Sequence, residues 1–196
     1  MKCLICESYS WHYICKHCQK EFLTPHLYSR KLSNGVQVFS FYNYEEIKHL
    51  LFTKHTDLGF YIYKLLAQNS FQLFAKEFNS PLEYISLGID DVPKNGYSHT
   101  AILNHALRYA SNITPLFHIL RANSNISYSG KSKIFRETNP RNFTIETFKG
   151  DNIILVDDII TTGTTLNEAI KLLEEKGKKV SFCLTLSDVS FQHNFI

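Results

Sequence analysis

Residues 153–165, IILVDDIITTGTT, decide how the rest of this chain folds. Four apolar residues in a row predict a buried strand of a parallel sheet, and two carboxylates stand where that strand ends. A turn of threonines and glycine follows and opens a helix. In open α/β sheets, ligands bind beyond the carboxyl ends of the strands, and a helix N-terminus there presents unpaired N–H groups to them. The stretch therefore predicts an α/β fold with a ligand site at the end of this strand.

The residue types of the stretch suit a sugar phosphate. The Thr/Gly turn can surround a phosphate with backbone N–H groups and hydroxyls, and its glycine lets the anion approach closely. Asp157 and Asp158 would face polyol hydroxyls or a hydrated Mg²⁺, because ionised carboxylates are acceptors that favour hydroxyl donors and hard cations. The candidate phosphate-binding residues are Thr161, Thr162, Gly163, Thr164 and Thr165.

This strand, acidic pair and Thr-Thr-Gly-Thr-Thr loop resemble the phosphoribosyl-pyrophosphate (PRPP) motif of the type I phosphoribosyltransferases. The resemblance implies their fold, a central, mainly parallel sheet flanked by helices with a small hood. It implies that Asp157 and Asp158 contact the ribose hydroxyls of Mg²⁺-bound PRPP, and that the loop holds the 5-phosphate. In a transferase these two carboxylates would be catalytic, because they would orient the ribose and stabilise positive charge at the anomeric carbon. The alternative is an ordinary strand-to-helix turn.

The helix after the loop has its own start and stop signals. Thr165 and Glu168 have the spacing of a capping box, and Gly177 is a suitable C-terminal stop. Residues 180–186 then alternate apolar and polar side chains, which predicts a strand close to the edge of the sheet.

Length and composition set the limits of this prediction. With 196 residues and 44% hydrophobic content, the chain can form one full-sized α/β domain and a small appendage, but not two large domains. The formal net charge of +3 is too small to indicate a nucleic-acid partner by itself. The N-terminus carries no apolar leader, and no apolar run approaches the roughly 18 residues of a membrane span. We therefore expect a cytoplasmic protein.

Four of the five cysteines crowd near the N-terminus. Cys3, Cys6, Cys15 and Cys18 form two CxxC pairs separated by eight residues, a spacing that lets four thiolates meet on one Zn²⁺. Such a segment is too short to build its own core, so its folding would depend on the metal. Redox-active cysteine pairs and disulfides are the alternatives.

We divide the chain into a zinc-binding knuckle, residues 1–24, and a phosphoribosyltransferase-like domain, residues 25–196. At the start of that domain, Asn34-Gly35 between two β-prone runs predicts a β-hairpin. Because this hairpin precedes the main sheet, we assign it to the hood.

Two helices are predicted next, over residues 44–55 and from Asp57 onward. Their lysines, Lys48, Lys54 and Lys64, could face an anion. The commoner explanation for such lysines is a solvated helix face.

Residues 121–143 hold five basic residues against one acidic residue, Glu137, with aromatic residues interleaved. This segment could close over a pyrophosphate as a lid, or it could bind single-stranded nucleic acid whose bases stack on the rings. The third explanation is a solvated charged loop. The candidate nucleic-acid-binding residues are Arg121, Lys131, Lys133 and Arg136.

A four-cysteine knuckle followed by a phosphoribosyltransferase-like domain resembles the ComF family of competence proteins. Residues 42–54 are similar to the family's aromatic helix segment, and residues 96–99 to its Arg-Gly-Phe-Asn-Gln type segment, with Asn95 in place of the arginine. The resemblance implies a part in natural transformation, in which the protein handles incoming single-stranded DNA on the cytoplasmic side of the inner membrane. It implies partners among the DNA-uptake helicase and inner-membrane channel components, and a peripheral place at that membrane rather than an integral one.

Two functions of different classes follow. The first is this DNA-handling accessory role, with the PRPP site kept as a binding site. The second is a metabolic phosphoribosyltransferase, in which a nucleophile displaces pyrophosphate from Mg²⁺-bound PRPP. The sequence shows no motif that would recognise an acceptor.

Overall fold

The computed structural model describes residues 1–89, 93, 96–123 and 141–190. The helices are α1 (Lys16–Phe22), α2 (Tyr44–Leu51), α3 (Asp57–Asn69), α4 (Phe71–Glu77), α5 (His99–Ala106) and α6 (Thr164–Glu175), with short 3₁₀ turns at Phe52–His55 and Leu107–Tyr109. The strands are β1 (Tyr28–Lys31), β2 (Gln37–Asn43), β3 (Tyr84–Gly88), β4 (Ile113–Leu116), β5 (Leu120–Ala122), β6 (Phe143–Ile145), β7 (Asn152–Ile160) and β8 (Lys179–Asp188).

The centre of the fold is a six-stranded sheet in the order β1-β2-β8-β7-β3-β4. Every neighbouring pair is parallel except β1 and β2, which form an antiparallel hairpin. Strands β5 and β6 form a separate two-stranded sheet. The predicted α/β class with a mainly parallel sheet is confirmed.

Two apolar cores use alternate residues of β7, since successive side chains of a strand point to opposite faces of its sheet. Ile154 and Val156 belong to the core that includes residues of α3 and α4. Ile153 and Leu155 belong to the core that includes residues of α6. The sheet is therefore covered by helices on both faces, as expected for parallel strands.

Two predictions about the sheet are wrong. Strand β8 lies between β2 and β7 in the interior, not near the edge. Its polar residues do not face water: the hydroxyls of Thr185 and of Ser40 on β2 are 2.6 Å apart and both residues are buried. The hairpin β1–β2 joins the main sheet through β8, where Val38 pairs with Cys183, so it is not a separate hood.

The N-terminal knuckle packs against the main sheet and α3. Ile14 and Leu23 are buried in the same core as residues of β2 and α3. The hydroxyl of Tyr42 donates a hydrogen bond to the carbonyl of Leu23 at 3.0 Å, and the rings of Tyr13 and Tyr61 lie 5.2 Å apart between centroids. The division at residue 24 stays a prediction. Within the part of the chain that the structure describes, no helix is long and apolar enough to cross a membrane.

Candidate functional site

A cavity of about 300 Å³ opens at the carboxyl end of β7. The acidic pair and the threonine loop line one side of it. Lys54, His99 and Arg141, which come from three other parts of the chain, also line it. The sequence-predicted sugar-phosphate residues 157, 158 and 161–165 therefore meet in one cavity, together with basic side chains that suit an anion.

The threonine loop leaves the start of α6 without a side-chain cap. The helix begins at Thr164 after Gly163, whose φ of 78° is a left-handed conformation that favours glycine. The hydroxyls of Thr162 and Thr164 lie 2.9 Å apart on the loop. The loop and the first turn of α6 line the cavity, and backbone N–H groups and hydroxyls at a helix start are donors that suit a phosphate.

The predicted capping box at Thr165 is wrong. The N-cap of α6 is Gly163, two residues before Thr165, and the carboxylate of Glu168 is engaged elsewhere. It accepts hydrogen bonds from the backbone N–H groups of Arg141 at 3.0 Å and Asn142 at 2.8 Å. Glu168 therefore fixes the backbone where Arg141 enters the cavity, and the helix start stays free of a competing carboxylate.

Arg30 of β1 contacts the threonine loop and holds it in position. One guanidinium nitrogen donates a hydrogen bond to the carbonyl of Thr161 at 2.6 Å. Leu32, just beyond β1, packs against the loop so closely that a Cβ added to Gly163 would lie 2.5 Å from its Cδ2. The hairpin thus sets the position of the phosphate loop.

The two carboxylates of β7 have different surroundings, because neighbouring residues of a strand point to opposite faces. One oxygen of Asp158 faces the Lys54 ammonium at 3.1 Å, the Tyr63 hydroxyl at 3.1 Å and the His99 Nε2 at 3.4 Å. Burial opposes its ionisation, but the charges of Lys54 and His99 and these hydrogen bonds outweigh burial and lower the pKa of Asp158. Asp158 is therefore held as an anion.

The pKa of Asp157 is shifted upward, in contrast to that of Asp158. Burial, followed by the negative charge of Asp158, raises the pKa of Asp157, although a hydrogen bond from the backbone N–H of Asp158 at 2.8 Å partly opposes this. The pair therefore combines one fixed anion with one carboxyl group that holds its proton more readily. The described strand continues through both residues to Ile160, so they lie within β7 and not at its end as predicted.

Several functional residues were missed or underrated in the sequence. Lys54, which we considered a solvated lysine, contacts Asp158 across 104 residues of chain. Tyr63 and Arg30 carried no local signal, because their partners are distant in sequence, and His99 was noted only as part of the family-like segment 96–99. Of the candidate nucleic-acid-binding residues, Arg121 lies exposed on β5 with its Nε donating to the carbonyl of His118 at 3.0 Å. Lys131, Lys133 and Arg136 lie outside the described residues.

The four N-terminal cysteines form a tight cluster. Sulfur atoms of Cys3, Cys6, Cys15 and Cys18 all lie within 4.8 Å of one another. The 3.8 Å between the sulfurs of Cys6 and Cys15 is too long for a disulfide, whose S–S bond is about 2.05 Å. It equals the edge of a tetrahedron of thiolates around Zn²⁺, given Zn–S bonds of about 2.3 Å.

Backbone donors prepare one of these sulfurs for ionisation. Burial opposes ionisation of Cys3, but hydrogen bonds from the backbone of Cys6, Cys15 and Ile5 outweigh it and lower the pKa of Cys3 to about 6. The N–H of Cys15 lies 3.3 Å from that sulfur. Burial, followed by contacts with the other three sulfurs, raises the pKa of Cys18, so the fit to a metal that binds thiolates rests on the spacing of the four sulfurs.

Comparison with known proteins matches part of the chain to a named domain. Residues 102–190 match the model of the phosphoribosyl transferase domain family. The matched segment contains most of α5, the acidic pair and the whole phosphate loop. Adenine phosphoribosyltransferase of Nitrosomonas europaea is 46% identical over 41 residues, which are 21% of this chain and 24% of that protein. The match thus spans about a quarter of the length of that curated relative.

Two solved structures are similar to the chain as a whole. Adenine phosphoribosyl transferase from Trypanosoma brucei aligns with a TM-score of 0.43 and 18% identity, over 87% of this chain and 78% of that one. Orotate phosphoribosyltransferase from Aeropyrum pernix aligns with a TM-score of 0.41 and 15% identity, over 89% and 81%. The sheet order and the family match confirm the predicted fold class, a phosphoribosyltransferase-like fold with an N-terminal four-cysteine cluster.

Proposed function

We propose that the cavity at the end of β7 binds PRPP as its complex with Mg²⁺. The observation that carries this proposal is the meeting of the phosphate loop and the acidic pair in one cavity with Lys54 and Arg141. The loop, residues 161–165, would hold the 5-phosphate, and Asp157 and Asp158 would accept hydrogen bonds from the ribose hydroxyls. Mg²⁺, bound through the phosphate oxygens of PRPP, would neutralise part of their charge.

The basic residues suit the pyrophosphate end of this ligand. Arg141 presents a planar guanidinium that matches phosphate oxygens in pairs, and Lys54 offers a compact charge at the other wall. Because Lys54 already pairs with Asp158, a bound pyrophosphate would share this ammonium with the carboxylate. Ligand binding and the ionisation of Asp158 would then be coupled.

The test is a pair of variants at Thr162, which is exposed on the loop. Thr162→Glu places a negative charge where the phosphate would lie, whereas Thr162→Gln adds similar bulk without charge. We expect calorimetry with Mg²⁺-PRPP and with ribose 5-phosphate to show no binding to Thr162→Glu and retained binding to Thr162→Gln. Equal affinity of Thr162→Glu and wild type for both ligands would overturn the assignment of the loop.

We propose Zn²⁺ as the ligand of the four-cysteine cluster. The sulfur spacing supports this assignment, and tetrahedral thiolate coordination is the commonest form of structural zinc. The ion would hold the knuckle in the position from which Ile14 and Tyr13 contact the main domain.

We propose that the protein serves as an accessory factor of natural transformation that handles incoming single-stranded DNA on the cytoplasmic side of the inner membrane. The ComF-like order of knuckle and domain supports this role, together with the basic character of residues 121–143. Its partners would be the DNA-uptake helicase or channel components. The test is the affinity for a labelled single-stranded oligonucleotide over a salt series, comparing wild type with a variant that carries Ala at positions 121, 131, 133 and 136. A smaller salt slope in the variant is expected, and an unchanged affinity would exclude this segment as the binding face.

A metabolic phosphoribosyltransferase is the second candidate. The family match over residues 102–190 favours it, and Asp157 and Asp158 would then be catalytic residues that stabilise positive charge at the anomeric carbon. Release of pyrophosphate from Mg²⁺-PRPP in the presence of nucleobases, amide donors or ammonia is the assay. Turnover that disappears in Asp157→Asn would establish this function, whereas PRPP binding without turnover on any acceptor would favour the accessory role.

A further inference from the structure

A second cavity, of about 470 Å³, lies between α3 and α5. It shares no lining residue with the cavity at the end of β7. Phe60, Tyr97, Tyr109 and Phe117 contribute four aromatic rings to its walls. Three of them are partly open to solvent: Phe60, Tyr109 and Phe117 are 40%, 47% and 39% exposed. Aromatic side chains of this size are commonly buried, so an open cluster of them indicates a surface that binds something.

The charged groups of this cavity are all basic. Lys64 and Arg108 line it, and none of its described lining residues carries a carboxylate. Two cations lie over the ring of Tyr109: Arg108 is 5.3 Å and Lys76 is 5.7 Å from its centre. A hydrogen bond from Arg108, with the charges of Arg108, Lys76 and Lys64, lowers the pKa of Tyr109. The potential at this end of the cavity is therefore positive.

The remaining polar groups are neutral and suit a heterocycle. Gln68 and Gln72 line the cavity with amides that both donate and accept hydrogen bonds. His105 also lines it, and burial together with the charge of Arg108 lowers the pKa of His105, so its ring is neutral at pH 7. The cavity thus combines flat rings, neutral donors and acceptors, and an anion-binding end.

We propose that this cavity binds a nucleotide unit, with the base stacked against the aromatic rings and the phosphate held by Lys64 and Arg108. An aliphatic anion would leave the rings unused, and a neutral aromatic compound would leave the cations unpaired. Base stacking on aromatic side chains beside a positive surface is the common chemistry of nucleotide and single-strand binding. The unit can come from a free mononucleotide or from a strand of nucleic acid. The proposal does not depend on the phosphate loop.

The experiment uses the zinc-loaded 196-residue chain with Thr162→Glu, so that the phosphate loop does not compete. Binding of dTMP and of a short poly-dT oligonucleotide is measured by calorimetry in this background. Tyr109→Leu removes a partly exposed ring, and we expect it to weaken binding about tenfold, whereas Tyr109→Phe keeps the ring and should keep the affinity. The double variant Arg108→Gln/Lys64→Gln should weaken binding at least as much as Tyr109→Leu does. Lys171→Gln, at an exposed position of α6, is the control and should leave the affinity unchanged.

The outcomes distinguish a free mononucleotide from a strand of nucleic acid, and the aromatic cavity from the phosphate loop. Binding of dTMP identifies a site for a mononucleotide, whereas binding of the oligonucleotide alone identifies a site for a strand. Either result supports the cavity if Tyr109→Leu abolishes the binding and Tyr109→Phe keeps it. Ribose 5-phosphate reports the phosphate loop separately, because it lacks a base. If neither nucleotide binds, or if both bind Tyr109→Leu and the Arg108/Lys64 variant as tightly as the parent, the proposal is wrong even where the phosphate loop behaves as expected.

Discussion

The Nε atom of Arg30 lies 2.8 Å from Oδ2 of Asp188, so an ion pair joins β1 to the end of β8. The side chain of Asp188 is fully buried, whereas that of Arg30 is 26% exposed. The same guanidinium donates to the carbonyl of Thr161. One side chain therefore neutralises a buried carboxylate and holds the first residue of the phosphate loop.

Arg30→Ala should destabilise the protein and loosen the loop. The substitution leaves the carboxylate of Asp188 buried without its cation, which costs about 3 kcal/mol or more. We expect urea denaturation to show this loss, and calorimetry to show weaker PRPP binding because Thr161 is released. Lys31→Ala, at the exposed neighbouring position of β1, should change neither quantity. Wild-type stability in Arg30→Ala would mean that the ion pair contributes nothing.

Lys54→Met should destabilise the protein in a pH-dependent way. Lys54 and His99 lower the pKa of Asp158, so the folded state gains stability above the ordinary carboxyl pKa of about 3.9 and loses it as pH falls through the lowered value. The difference in unfolding free energy between wild type and variant, about 1–3 kcal/mol near neutral pH, should therefore shrink below about pH 4. Lys48→Met, which removes a surface pair with Glu45, is the control and should show little change. A difference that grows on acidification contradicts this assignment.

Gly163→Ala should weaken the phosphate loop's binding of PRPP by more than the strain of a positive φ at this residue alone would cause. Gly163 and Gly35 both have positive φ, 78° and 86°, but a Cβ at Gly163 would meet Leu32 at 2.5 Å whereas a Cβ at Gly35 would meet nothing within 4 Å. Gly35→Ala therefore measures the conformational cost, about 1 kcal/mol. Gly163→Ala should cost more and weaken PRPP binding, and Leu32→Ala in the same chain should restore part of the affinity. Equal effects of the two glycine substitutions would show that Leu32 does not constrain the loop.

Cys3→Ser should release zinc and lower the melting temperature. The knuckle shares a core with β2 and α3, so its loss would expose apolar side chains of the main domain. Cys183→Ser, which changes a buried cysteine outside the cluster, should keep one zinc per chain. Metal content by atomic absorption and melting by calorimetry measure both effects. Stoichiometric zinc in Cys3→Ser would remove this residue from the metal site.

The local parts of the fold could be predicted from the sequence. The apolar run before Asp157 and the threonine loop after it gave the position of β7 and of the cavity, because buried strands and helix starts have local signatures. The prediction that β8 lies close to the edge of the sheet was wrong for a physical reason. Alternation of polar residues such as Thr185 normally indicates a solvated face, but here Ser40 of the neighbouring strand supplies its hydrogen-bond partner inside the protein.

The parts of the site that depend on distant pairing could not be predicted. Arg30 acts on Thr161 across 131 residues, and Tyr63 on Asp158 across 95. No periodicity or spacing connects such residues, since only the folded sheet brings them together. The same holds for the aromatic cavity, where Phe60 of α3 meets Tyr97, Tyr109 and Phe117 from segments before and after α5 only in the folded chain.

The central place of β8 governs when the protein can complete its fold during synthesis. Val38 pairs with Cys183 and Asn43 with Asp188, so the hairpin made early in translation has no strand to join until nearly the whole described chain has left the ribosome. The four cysteines of the cluster, by contrast, have all emerged once residue 18 has left the ribosome. The β1–β2 hairpin and β8 can therefore pair only late in folding. The contact of Arg30 with the phosphate loop is completed only after Asp188 has been synthesised. We expect a ribosome stalled before β8 to carry a nascent chain with all four cysteines of the cluster but without the contact between Arg30 and the phosphate loop.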